Sequence, residues 1–222
     1  MSESATYLVD GKELLADQCR TLFAGMALLD RHTKVLDRIE GHTVIDIGCY
    51  TGLFVCEASR RFPDKTVIGV DYFEDNIRMA HLLYPDMRDR FRRMSIYRLE
   101  IADASVDCIT LQEVLEHLEG PALAIKEVNR VLKPGGALVI SVPNPFYAWR
   151  IATFIWFEIG NSLRRWHGRR PNLGVEVLSE NVEWDRHIYA WTPQTLLTLL
   201  TVNGFEYVDH CYENAMRYSV AR

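Results

Sequence analysis

The chain has 222 residues, enough for one domain with a full apolar core, and residues 1–222 read as a single unit. Hydrophobic residues make up 48% and charged residues 25%, an ordinary globular balance, while a net charge of -5 disfavours nucleic acid as a bulk partner. Five scattered cysteines (Cys19, Cys49, Cys56, Cys108, Cys211) form no C-x-x-C pair, and neither a basic-plus-apolar leader nor a bilayer-length apolar run is visible; a reducing, cytoplasmic setting without disulfides or structural zinc is expected.

Residues 1–10 read as loose. Between Lys12 and Ile39, apolar positions such as Leu14, Leu15, Leu22, Met26, Leu29, Val35 and Leu36 recur at threes and fours, which predicts two helices within 12–40. Strands and helices then alternate. "TVIDI" (43–47), "TVIGV" (66–70), "VDCITL" (106–111) and "ALVISV" (137–142) are apolar runs without polar alternation, as in strands buried on both faces of a parallel sheet. Helices fit at 52–61, 75–83 and 121–132, the last closed by "KPGG". This βαβ rhythm predicts a doubly wound, Rossmann-like α/β fold. Beyond Pro145 aromatics crowd 146–160, and "RRWHGRR" follows. Thr192, Pro193 and Gly204 bracket a further helix, and "FEYVDH" and "MRYSVA" predict two closing strands.

"DIGCYTG" (46–52) ends the first of these strands in an acid and runs through G-x-x-x-G into a helix, a geometry suited to nucleotides. Gly48 permits a sharp turn and close backbone approach, and Gly52 lets the helix pack tightly. It is not G-x-G-x-x-G, which weakens a dehydrogenase reading. Asp71 ends the next strand where a ribose-binding carboxylate belongs; the alternative is a turn cap.

"VIDIGCYTG", "VIGVDYFEDNI", "ASVDCITLQEVLEHL", "EVNRVLKPGGALVISVPNP" and "WTPQTLLTLLTVNGFE", in this order, resemble the motifs of class I S-adenosylmethionine (SAM)-dependent methyltransferases. The branch they look like includes ubiquinone-biosynthesis O-methyltransferases and glycan-cluster methyltransferases, and the likeness covers about 40–145 and 187–222. The resemblance implies a seven-stranded sheet, mostly parallel with the last strand antiparallel. It implies SAM as cofactor and S-adenosylhomocysteine (SAH) as product. Asp46, Gly48 and Gly52 would then hold the methionine part, Asp71 the ribose hydroxyls and Ser95 the adenine amino group, with Gln112 beside the sulfonium and Cys49, Tyr50, Tyr72 and Ile96 also in the cofactor site. Two positions depart from the family. Tyr50 stands where glycine is usual, so its ring points to the site mouth or is simply exposed. Ser95 stands where an adenine-binding Asp is common, a weaker acceptor.

Glu113, Glu116 and His117 are spaced to share a face of a helix. His117 is expected as a general base; the trio read as a divalent-metal site, or as capping groups, is the alternative, and Mg²⁺ is not favoured because histidine is not its usual ligand. His187, before the Thr-Pro helix start, is a second base or a further ligand, or a histidine bonded to a backbone carbonyl. Residues 146–185 read as a substrate-specific insertion: a lid, a homodimer face or a membrane-surface anchor through 146–160, against a plain core role for its aromatics. Arg164, Arg165, Arg169 and Arg170 suit an anionic acceptor group. The leading reading is methyl transfer to a hydroxyl of a small-molecule or glycan-linked acceptor. A SAM-binding module without turnover and an RNA methyltransferase are the alternatives, and a dehydrogenase is a distant one.

Overall fold

The computed structural model describes residues 6–9, 12–144, 148–170, 187–213 and 216–221. In chain order these form strands β1 (Thr6–Val9) and β2 (Lys12–Leu15), helices α1 (Ala16–Phe23) and α2 (Asp30–Leu36), then β3 (Thr43–Ile47), α3 (Leu53–Arg61), β4 (Thr66–Asp71), α4 (Glu74–Leu83) and β5 (Phe91–Arg93). There follow β6 (Val106–Gln112), α5 (Pro121–Val131), β7 (Leu132–Pro143), α6 (Ala148–Trp166), α7 (Pro193–Val202), β8 (Tyr207–Glu213) and β9 (Met216–Ala221).

Seven strands make one sheet in the order β5-β4-β3-β6-β7-β9-β8. The first five are mutually parallel, and β9 runs antiparallel to both β7 and β8. The doubly wound expectation holds, because unbroken β-branched runs carry apolar side chains to both faces. Ile45, Ile109, Leu111 and Ile140 pack toward a core completed by Ile125 and Val128 of α5 and Leu196 and Leu200 of α7. Val44, Val67, Cys108 and Val139 point to the other face, against Val35, Phe54, Val55, Ile77 and Ala80 of α2, α3 and α4.

The N-terminal reading needs correction. Both helices are present, but Thr6–Val9 and Lys12–Leu15 pair as antiparallel strands where a loose end and a helix from Lys12 were expected. Tyr7 and Leu14 of these strands pack with Cys19 onto Met79 and Leu82, clothing the outer side of α4. Arg78 reinforces this contact by donating to the Thr6 carbonyl (3.1 Å) and lying 5.1 Å from the Tyr7 ring centroid.

No helix among the described residues is long and apolar enough to cross a membrane. Within the expected insertion, 148–166 is helical; Phe146, Tyr147 and 171–185 lie outside the described residues.

Candidate functional site

The loop after β3 holds a left-handed backbone at three alternate residues: Gly48 (φ 80°), Tyr50 (φ 48°) and Gly52 (φ 84°). Glycine adopts this region without steric cost; tyrosine does not. Gly48 and Gly52 are also fixed by packing. A Cβ on Gly48 would lie 2.4 Å from Val114 Cγ2, and one on Gly52 2.6 Å from the Phe91 ring. Gly69 of β4 makes room in turn, since a Cβ there would meet the Cys49 side chain at 2.8 Å. The neighbouring strand therefore shapes the loop, and Gly69 and Val114 are site-building residues that sequence reading passed over. The N–H groups of Gly48 and Cys49 both donate to the Val70 carbonyl, at 2.8 and 3.1 Å. Cys49 is buried, and burial pushes its thiol well up, so it serves as a packed neutral side chain.

Asp46 is buried beneath this loop. The register pairs it with Thr110, whose hydroxyl donates to Oδ1 at 2.5 Å, and Gln112 Nε2 donates to the same oxygen at 3.1 Å. Burial pushes the Asp46 carboxyl up to about 6 against those two bonds, with the Asp71 charge adding to the rise. At the same edge of the sheet, Gln112 is paired with Ser141, and neither Gln112 Oε1 nor Ser141 Oγ makes a hydrogen bond among the described residues. Buried acceptors left open at the carboxyl ends of parallel strands fit a ligand that brings its own donors, as an amino-acid ammonium does.

Asp71 accepts from the backbone N–H of Tyr50 (Oδ2, 3.0 Å), from that of Phe73 (Oδ1, 2.9 Å) and from Asn76 Nδ2 (Oδ1, 3.1 Å). The turn-capping geometry is thus present in full. Burial still raises its carboxyl above the ordinary range, against these bonds. Tyr72 is exposed and meets Phe73 edge-on, with ring centroids 5.3 Å apart. Ser95 opens a tight turn bridged to Arg98, and its hydroxyl accepts from the Tyr97 N–H at 3.3 Å; Ile96 is buried in the core. Tyr50 is half-buried and meets Phe23, at the end of α1, edge-on at 6.4 Å. The N-terminal segment is therefore joined to the loop through two aromatic rings.

The expected helical face of Glu113, Glu116 and His117 is absent. Glu113 has φ 55°, its N–H continues the β6–β7 pairing by donating to Ser141 O (3.0 Å), and only Leu115–His117 form a single 3₁₀ turn. Glu113 is left outside the cluster that forms. That cluster is Glu116, His117 and His187, with one potential ligand atom from each within 4.8 Å of the others. The imidazoles of His117 and His187 cross edge-on at 4.8 Å between centroids, and His117 Nε2 lies 3.9 Å from Glu116 Oε1. Their meeting has a backbone cause: the Ile188 N–H donates to the Glu116 carbonyl at 2.7 Å and the Tyr189 N–H at 3.3 Å, while Tyr189 stacks on the buried Trp191. Val114, which fills the space over Gly48, precedes Glu116 by two residues, so the cluster adjoins the loop.

A separate cavity of about 590 Å³ lies between α1, α3 and the end of α4, lined by Phe23, Met26, Leu53, Leu83, Arg60 and Arg88 among others. Its lining includes no residue of 46–52; Leu53, the first residue of α3, is the nearest in sequence.

Residues 45–140 match a family described as a methyltransferase domain. The chain is 34% identical over 116 residues to a probable SAM-dependent methyltransferase of Mycolicibacterium smegmatis, covering 51% of this chain and 42% of that protein. It is 30% identical over 117 residues to a ubiquinone biosynthesis O-methyltransferase of Alkalilimnicola ehrlichii, covering 52% and 47%. The matched segment spans less than half the length of these relatives. Among solved structures, a SAM-dependent methyltransferase from Aquifex aeolicus shares the fold, with TM-score 0.63, 18% identity and coverage of 93% and 97% of the two chains. Over residues 45–140 the chain is thus similar to SAM-dependent methyltransferases, and its fold is the one that the Aquifex aeolicus structure shares.

Proposed function

We propose that this protein transfers the methyl group of SAM to a hydroxyl of a small-molecule or glycan-precursor acceptor, with the acceptor held beside His117 and His187. The single observation that carries this reading is the convergence of Glu116, His117 and His187 next to the glycine loop. SAM supplies a methyl carbon made electrophilic by its sulfonium. The loop 46–52 and Gln112 hold its amino-acid end, and Asp71 its ribose. Ser95 borders the adenine, and Tyr72 and Ile96 also line the cofactor site. The acceptor oxygen forms the new C–O bond as the C–S bond breaks, and the bonding pair stays on sulfur to leave SAH. The acceptor's proton passes to an imidazole nitrogen of His117 or His187, and Glu116 Oε1 lies 3.9 Å from His117 Nε2.

A second reading has support in the same geometry. One carboxylate and two imidazoles with open positions are a donor set for a borderline divalent metal such as Zn²⁺, Mn²⁺ or Fe²⁺, and suit Mg²⁺ less well. Such an ion would lower the pKa of a bound acceptor hydroxyl.

SAM turnover measured with a panel of phenolic, sugar and nucleoside hydroxyl acceptors tests the proposal. Acceptor-dependent release of SAH is the expected result. Tight SAH binding with no turnover on any acceptor would return the protein to a SAM-binding module. RNA retained in a shift assay over a salt series would favour the RNA reading instead.

A further inference from the structure

From Ile155 onward helix α6 turns large apolar side chains to solvent. Ile155, Ile159, Leu163 and Trp166 follow one another at four, four and three residues, with Trp156 alongside, so they form one stripe. All five are exposed; Trp156 is 74% and Trp166 82% accessible. On the opposite side of the helix Asn161 is buried at 5%. A surface helix ordinarily turns its apolar stripe to the core and its polar side to water; here the polar residue faces in and the stripe faces out. Exposing two tryptophans and three aliphatic side chains has a hydration cost that a covering surface would remove.

The charges around the stripe identify what covers it. Between 148 and 170 the chain has five arginines (150, 164, 165, 169 and 170) and one acid, Glu158, whereas the whole chain carries -5. Arg164 and Arg165 occupy the last turn of α6, and Arg169 and Arg170 follow it. An apolar stripe with tryptophans and a basic end is the pattern of a helix that lies in the headgroup layer of a membrane. The helix does not cross it.

We propose that α6 docks this protein on an anionic lipid surface. Ile155, Trp156, Ile159, Leu163 and Trp166 enter the headgroup–acyl boundary, and Arg164, Arg165, Arg169 and Arg170 contact the phosphates. The placement has a functional sense. α6 starts five residues after β7 ends, at the edge of the sheet where Gln112 and Ser141 lie. The docking helix thus follows directly in sequence on the strand that carries Ser141. The inference does not rest on methyl transfer, since lipid binding is read without cofactor or acceptor.

The test is flotation of the full chain with vesicles of phosphatidylcholine alone or mixed with phosphatidylserine. The protein should float with the mixed vesicles, stay in solution with the neutral ones, and be released by salt. Trp156→Ser with Trp166→Ser should weaken retention by about tenfold or more, and Arg164→Ser with Arg165→Ser should weaken it and flatten the salt dependence. Both double variants change exposed side chains, so melting and SAH binding should match the parent and show that they fold. Absence of flotation with either vesicle overturns the proposal, as does flotation that the tryptophan variant leaves unchanged. A dimer in light scattering that the same tryptophan substitutions dissociate also overturns it, because a second copy would then cover the stripe.

Discussion

The carboxylate of Asp71 reaches back twenty-one residues to hold the backbone N–H of Tyr50, at 3.0 Å from Oδ2. Its other oxygen holds the Phe73 N–H and the Asn76 amide at the entry to α4. One side chain thus ties the loop after β3 to the helix after β4. Asp71→Asn would set an N–H group of its amide against one of those backbone donors. We expect a stability loss of about 1–3 kcal/mol and weaker SAH binding together, read by melting and calorimetry. Unchanged values for both would mean that the loop is held elsewhere.

Tyr50 pays the left-handed penalty that glycine avoids. Tyr50→Gly should therefore melt at or near the parent temperature, the relaxed backbone offsetting the lost edge-on contact with Phe23. Tyr50→Val, β-branched at φ 48°, should be less stable by about 1–2 kcal/mol. Equal melting of the glycine and valine variants would contradict this account.

Removing either histidine of the cluster separates chemistry from cofactor binding. His117→Ala and His187→Ala should each reduce turnover by about 10²–10⁴ and leave SAH affinity nearly intact. Chelation then divides the two readings. A base-only site is indifferent to EDTA; a metal site loses activity, recovers it with Mn²⁺ or Zn²⁺, and loses that rescue in Glu116→Ala. Glu113→Ala should retain the rescue, because Glu113 lies outside the cluster. Full turnover in both histidine variants would leave catalysis to positioning alone.

The Asp46 carboxyl, pushed up to about 6 by burial, binds its proton more readily in the folded chain than in the unfolded one. Its contribution to stability is present below about pH 4 and is lost as pH rises through about 6. Asp46→Asn keeps an acceptor for Thr110 and Gln112 without the charge. Its stability relative to the parent should grow between about pH 4 and 6 and then level off, as seen by denaturant melts across that range. A gap independent of pH would show that the buried charge is fully compensated.

Asp107 behaves in the opposite sense. Its bond from Lys133 (2.7 Å) and the N–H groups of Thr43 and His42 (2.9 and 3.1 Å) hold its carboxyl down at about 2. That stabilisation is present above about pH 4 and disappears as pH falls toward 2. Asp107→Asn should cost about 1–2 kcal/mol at neutral pH, with the difference shrinking in acid.

The central strands were legible because burial on both faces leaves a sequence signature: "TVIDI" is β3 to the residue. The two four-residue strands at the N-terminus were not, since Leu14 and Leu15 fit helical and extended spacing equally in so short a window. The loop glycines could be read as glycines, but Phe91 and Val114, which leave no room for a larger residue there, could not, because both come from elements distant in sequence. The helical face drawn for Glu113, Glu116 and His117 failed on the left-handed φ of Glu113, which periodicity does not report. His117 and His187 were each singled out from their context. Their contact depends on backbone bonds from Ile188 and Tyr189 to the Glu116 carbonyl, seventy-two residues back at the nearer, which only the folded chain displays.

The position of β9 governs the order in which the sheet is completed. β8 is made first, yet it pairs with β9 alone, and β9 occupies the lane beside β7. During synthesis β8 must wait, and the edge of β7 from Leu138 to Pro143 stays open until Met216–Ala221 emerge and close it. A stop codon at Met216 would thus detach two strands rather than one, and would leave an unguarded apolar edge on which nascent chains can associate.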